Sequence, residues 1–356
     1  MLNKITVRNF GRVFVAALSL VISSCQTTSQ DLTSLDEEKF KIVATHSVLC
    51  EFITIIAENS LDSTCLVEPG QDPHTYKPTP SQRKAMEQAQ IIFYGGYELE
   101  PKIIQLIQAT ETNNKKIPVY ETVVTQPILA EHSHHGEHDH EAEPAEHEEH
   151  EHEHEHEHEH EHEHEKEETK QEELTADPHV WHDTQNAIAI IEYLQSELIE
   201  LNPAQTNLYG QNSREYAEQL QQLDLWIPKQ IATIPETQRL LITTHDSLNY
   251  YVQAYGLQDY QSLQGLSTED SPTAAGLKEL VNEIRQTGVP TIFAEVRGNE
   301  RVINNVATEA GVAISDRKLL TDGIGKPGTD SDSYLKMMVN NTCAIVDGLG
   351  GECQPF

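Results

Sequence analysis

Basic side chains are scarce in this chain: 24 lysines and arginines stand against 58 aspartates and glutamates, a formal net charge of −34. Phosphate binding needs clustered cations, so the shortage argues against a nucleic-acid partner. Long apolar runs are also few. Val13–Ile22 is too short to span a bilayer comfortably as a permanent helix, and no other run is long and apolar enough to cross one. Cysteine occurs five times, at positions 25, 50, 65, 343 and 353, and never with the C-x-x-C spacing of a structural zinc site. Outside one tract, histidine is limited to His46, His74, His179, His182 and His245. Imidazole chemistry in ordered sequence is confined to those five.

That tract runs from His132 to His164 and holds the other histidines: His132, His134, His135, His138, His140, His147, His150, His152, His154, His156, His158, His160, His162 and His164. With its flanks (131–173) it supplies −18 of the net charge and cannot bury apolar area, so it is expected to be a disordered insertion that binds metal weakly. His150-Glu151-His152-Glu153-His154 formally fits the H-E-x-x-H pattern of zinc proteases, but any His/Glu alternation fits it trivially. A tolerated acidic insertion is the plainer alternative.

The N-terminus reads as an export signal over 1–24. Lys4, Arg8 and Arg12 precede the apolar core, which ends in Ile22-Ser23-Ser24-Cys25. Small residues directly before a cysteine resemble a lipoprotein cleavage box, so Cys25 is expected to be lipidated, the alternative being an ordinary cleaved signal. Residues 25–38 are polar and read as a tether. Export puts the remaining cysteines in an oxidising compartment. They allow three pairings, among which nearness in sequence favours Cys50–Cys65 and Cys343–Cys353, each adding about 3 kcal/mol on the loop-entropy model.

From residue 39 onward, hydrophobic patterning predicts strands alternating with helices. Strands are expected over 40–45, 65–67, 91–94, 239–244, 291–296 and 312–314. Helices are expected over 47–59, 79–90, 185–201, 204–232, 247–255, 273–287, 300–310 and 331–346. Pro228 should kink or shorten the longest of these. The pattern defines an α/β protein: a lobe over 39–202, a linker helix over 203–234 and a second lobe over 235–356, with parallel sheets in both lobes. Ligands of open parallel sheets bind at the carboxyl ends of strands. His74, in a loop fixed by Pro69, Gly70 and Pro73, is one candidate. His179, in Asp177-Pro178-His179-Val180-Trp181-His182-Asp183, His245, at a strand end, and Asp322 are the others. No short-motif spacing joins them.

An ordered series of segments strengthens the case: Asp72-Pro73-His74-Thr75-Tyr76-Lys77-Pro78, Asp177-Pro178-His179-Val180-Trp181, Thr244-His245-Asp246-Ser247-Leu248-Asn249-Tyr250, and Leu320-Thr321-Asp322. The series resembles the zinc/manganese-specific solute-binding proteins of ABC importers, across most of residues 40–349. The resemblance implies two lobes joined by a rigid helix, with His74, His179, His245 and Asp322 holding one ion in the cleft between them. Three imidazoles and a carboxylate suit Zn²⁺, whereas Mn²⁺ prefers more oxygen. Manganese members of that family typically carry a carboxylate where this chain has His245, and zinc members carry a His-rich insert. Zn²⁺ is therefore the expected cargo and Mn²⁺ the alternative. An ABC permease with its ATPase are the expected partners, the receptor is expected to act as a monomer, and it is not expected to be an enzyme. A metal-sequestering or adhesive lipoprotein is the rival outside transport. Asp177 and Asp246 are candidates for orienting the imidazoles, with helix capping the alternative for Asp246. His46 and His182 are expected to stand outside the ligand set.

Overall fold

The structure is a computed structural model that describes residues 39–131 and 174–356. The export signal, Cys25, the tether and the histidine tract lie outside the described residues.

The first half begins with β1 (Lys41–Ala44), α1 (Ser47–Ala57) and β2 (Asp62–Cys65), followed by α2 (Pro80–Gln88), β3 (Ile91–Tyr94), α3 (Pro101–Ala109), β4 (Lys115–Pro118) and the short α4 (Val119–Val123). Helix α1 forms because Val48, Leu49, Phe52, Ile53 and Ile56 recur on one face, and all five are buried. Helix α2 starts at a reciprocal capping box between Thr79 and Gln82, with Pro80 in its first turn. The four strands form one parallel sheet in the order β2-β1-β3-β4. The second strand was expected at 65–67 and is found at 62–65. The ladder does continue, since Leu66 and Val67 donate their N–H groups to Ala44 and Thr45. Next come an antiparallel pair, β5 (Leu129–Glu131) and β6 (Leu174–Ala176), then α5 (Thr184–Leu201).

Helix α6 (Thr206–Ile231) packs on α1 and α5 and, from the second half, on α10 (Tyr334–Gly348). Its 26 residues make it about 39 Å long. Pro228 lies inside it without breaking it: the ring removes only the N–H that would reach Asp224 O, and the helix runs on to Ile231.

The second half repeats the first. It contains β7 (Leu240–His245), α7 (Asn249–Tyr255), β8 (Asp259–Gln264), α8 (Ala274–Thr287), β9 (Thr291–Ile292), α9 (Glu300–Ala310) and β10 (Ala313–Ile314) before α10. Strands β7 and β8 pair in parallel, as do β9 and β10. Phe293 N–H donates to Ile242 O (2.9 Å), joining the two pairs edge to edge in the order β8-β7-β9-β10. That is the order of the first sheet. Strand β8 was not anticipated: Asp259-Tyr260-Gln261-Ser262-Leu263-Gln264 is mostly polar and only Leu263 is buried, as befits an edge. One apolar cluster spans both halves and includes Phe52, Trp181, Leu220, Tyr251 and Tyr334. Tyr334 O–H donates to Trp181 O (2.7 Å) within it. Cys50–Cys65 and Cys343–Cys353 are both bonded, the pairings that sequence proximity favoured, and the first ties α1 to β2.

Candidate metal centre

Each candidate side chain arrives by a separate local device. His74 lies in the loop between β2 and α2, where its backbone N–H donates to Asp72 Oδ1 (2.9 Å), a local turn that the neighbouring prolines support. His179 precedes a single 3₁₀ turn, Val180–His182. Its backbone N–H and its ring Nδ1 both meet Asp177 Oδ1, each at 2.8 Å. His245 is the last residue of β7. Its N–H donates to Glu295 Oε1 (3.0 Å) and its Nδ1 bonds Glu295 Oε2. Asp322 lies in the loop between β10 and α10.

These four side chains, separate in sequence, converge. Asp322 Oδ1 is 3.3 Å from His74 Nε2, 3.4 Å from His179 Nε2 and 3.1 Å from His245 Nε2. His74 Nε2 and His179 Nε2 are 3.3 Å apart. Ligands about 2.0 Å from the centre of a tetrahedron are separated by about 3.3 Å, so the spacing is that of four donors around one small cation. All four residues are buried, and Asp322 Oδ2 has no hydrogen-bond partner among the described residues. A buried carboxylate oxygen left bare is costly unless a cation neutralises it. With Nδ1 of His179 and of His245 each engaged by a carboxylate, the Nε2 lone pairs face the shared centre.

The electrostatics agree. Burial alone would push the His245 imidazole down, but Asp322 and Glu295 outweigh it and hold its pKa well above 6.5. His179 is raised as well, Asp177 and Asp322 overcoming the effect of burial. Asp322 is held well below the usual carboxylate range, because three neighbouring imidazoles outweigh its burial. The pocket has the charge pattern of a cation site in which protons stand in for the ion.

The residues flanking the site divide. Asp177 orients His179 and is itself steadied by Asn249 Nδ2 on Oδ2 (3.1 Å). Asp246 hydrogen-bonds no imidazole among the described residues and does not cap α7. Its Oδ1 accepts from Asn249 Nδ2 (2.7 Å), so it acts on Asp177 at one remove, and burial raises its pKa to about 6. The carboxylate on His245 is instead Glu295, which sequence reasoning missed. The available signal was an acid within the apolar run 291–296, expected as one strand, of which only Thr291–Ile292 forms β9. Glu295 also accepts from Thr244 N–H (2.9 Å) and Thr321 Oγ1 (3.0 Å). His46 and His182 are buried and stand outside the four-residue cluster. Burial lowers their pKa values to about 4 and about 3.

Three imidazoles and one carboxylate, converging from loops and a strand end of both halves, define a protein that binds a divalent metal ion, of the solute-receptor class rather than an enzyme. The chain belongs to the family of the periplasmic zinc-uptake complex component A (ZnuA), whose pattern spans residues 42–348. It is 28% identical over 350 residues to the manganese ABC transporter substrate-binding lipoprotein PsaA of Streptococcus anginosus, covering 96% of this chain and 99% of that one. It is 26% identical over 335 residues to the manganese-binding lipoprotein MntA of Halalkalibacterium halodurans, covering 94% and 96%. Its structure superposes on the periplasmic zinc-binding protein TroA of Treponema pallidum with a TM-score of 0.71 at 25% identity, covering 87% of this chain and 99% of that one. The chain is thus an exported, substrate-binding component of a metal ABC transporter.

Proposed function

We propose that this protein captures Zn²⁺ outside the cytoplasm through His74, His179, His245 and Asp322 and hands it to the permease of an ABC importer. The observation that carries the reading is the spacing of the four donor atoms, Asp322 Oδ1 and the three Nε2 nitrogens, at 3.1–3.4 Å for the pairs given above. Three imidazole nitrogens and one carboxylate in four-coordination suit zinc, while manganese favours more oxygen donors and a larger coordination number. Residues 39–202 and 235–356 act as the two lobes that contribute ligands, His74 and His179 from one, His245 and Asp322 from the other. Residues 203–234 join them. The receptor works as a single copy, held at the membrane through lipid on Cys25.

A manganese reading is favoured by one finding, the names of the relatives PsaA and MntA. Competition decides between the two. The full chain and its Asp322→Ala variant are equilibrated with Zn²⁺ and Mn²⁺ buffered to equal free concentrations, and bound metal is counted by native mass spectrometry. Zinc is expected to fill the cleft of the native chain and to be lost from it in the variant. Equal occupancy by manganese would refute zinc selectivity, and undiminished cleft binding in the variant would refute the ligand set.

A further inference from the structure

The segment Leu320-Thr321-Asp322-Gly323-Ile324 carries the one carboxylate of the cluster and is gripped from two sides. From its own half, Asn341 on α10 accepts from Leu320 N–H (3.0 Å) and donates to Leu320 O (2.6 Å). From the other half, His182 Nε2 meets Thr321 O at 2.8 Å and His46 Nε2 meets Asp322 O at 3.2 Å. Ser47 Oγ accepts from Ile324 N–H (3.2 Å) beside them. A carbonyl oxygen only accepts, so each imidazole carries its proton on Nε2. His46 is fixed in turn by Tyr120, whose hydroxyl lies 2.6 Å from Nδ1. The Trp181 ring is close to both, its centroid 4.5 Å from that of His46 and 5.4 Å from that of His182.

We propose that His46 and His182 are positioning residues for the transported ion: by holding the carbonyls of Thr321 and Asp322 from the opposite half, they keep the Asp322 carboxylate over the three Nε2 atoms and slow metal release. This rests on the reading of Asp322 as a ligand. Gly323 shows how tightly the segment is held. It has φ +125°, and a Cβ there would stand 2.3 Å from Ser47 Oγ and 3.1 Å from His46 Nε2, so the backbone approaches these side chains as closely as only glycine allows. For the ion to leave, Asp322 must withdraw, and withdrawal of its backbone breaks the two imidazole–carbonyl bonds across the halves. The latch therefore acts on the rate of release and leaves the rate of capture alone.

The test measures transfer of Zn²⁺ from the full-length protein to excess chromophoric chelator. Asp322→Ala alone is expected to speed release more than about 100-fold, beyond what loss of an outer-shell partner produces. Unchanged release in that variant overturns the ligand reading and the latch with it. The double variant His46→Phe/His182→Leu, in the native background, is expected to speed release roughly tenfold, the worth of one or two buried hydrogen bonds. In the Asp322→Ala background it is expected to add nothing, because both imidazoles act only through that carboxylate. Equal acceleration in both backgrounds marks a general loosening of the fold and overturns the proposal, as does native release in the double variant. Gly323→Ala keeps both imidazoles and forces the backbone away from them. It is expected to accelerate release like the double variant, and native release there also overturns the proposal.

Discussion

Replacing Glu295 by glutamine isolates the contribution of a residue that never meets the metal. Glu295 is buried and accepts four hydrogen bonds: from the backbone N–H groups of Thr244 and His245, from His245 Nδ1 and from Thr321 Oγ1. Glutamine has nearly the same shape and can keep its carbonyl on the two backbone donors. Its amide NH₂ then faces His245 Nδ1, which must become an acceptor. A neutral imidazole that accepts at Nδ1 carries its proton on Nε2, the atom that points at the ion. The substitution thus turns the ring into the tautomer that cannot bind metal, and holding the ligating one leaves a buried amide N–H opposed by a ring N–H. Loss of an outer-shell partner of this kind costs about 10–100-fold in metal affinity, or about 1.4–2.8 kcal/mol. The assay is a Zn²⁺ competition titration at pH 8, where proton competition is weakest, alongside circular dichroism of the metal-free protein to verify folding. Native affinity at that pH in a folded Glu295→Gln protein would refute the argument that this carboxylate sets the tautomer of His245.

Three further outcomes are expected. Because the metal-free His245 is held well above its ordinary pKa by Asp322 and Glu295 against burial, an ion must displace a proton from it even near neutrality. Zinc affinity should therefore decline as pH falls from a point above 6.5, not only below it, and a titration flat from pH 8 to 6 would contradict this. Glu100 is fully buried, and burial pushes its pKa up to about 7 from 4.5. A raised carboxyl adds stability below the unfolded pKa and loses it as pH rises through about 7, so Glu100→Gln should be more stable than the native chain at pH 8 by about 1–3 kcal/mol and lose that advantage by pH 5. Denaturant melts showing no pH-dependent difference would oppose it. Replacing Cys50 and Cys65 together by alanine should lower the stability of the metal-free protein by about 2–4 kcal/mol in the same melts, through release of α1 from β2. An unchanged midpoint would mean the link constrains nothing that unfolding frees.

Much of the architecture was legible because it is local. Apolar periodicity located β1, α1, β3 and α9 to within a few residues, and Thr79-Pro80-Ser81 marked where α2 begins. Strand β8 was not legible: an edge strand with one buried side chain has no period to detect. The candidate ligands could be named from their places in loops and at strand ends and from resemblance. Their meeting could not be derived, since the sequence spacings between them follow no rule of helix or strand.

The one-dimensional chain by itself settled the α/β alternation, the acidic surface and the supply of imidazoles, because each depends on composition or on neighbours within a few residues. Only the tertiary structure decided that Glu295 rather than Asp246 holds His245, and that His46 and His182 grip carbonyls 276 and 139 residues away. The reason is geometric: a hydrogen bond tests positions to within a fraction of an ångström, and those positions exist only after two sheets and the helix between them have packed.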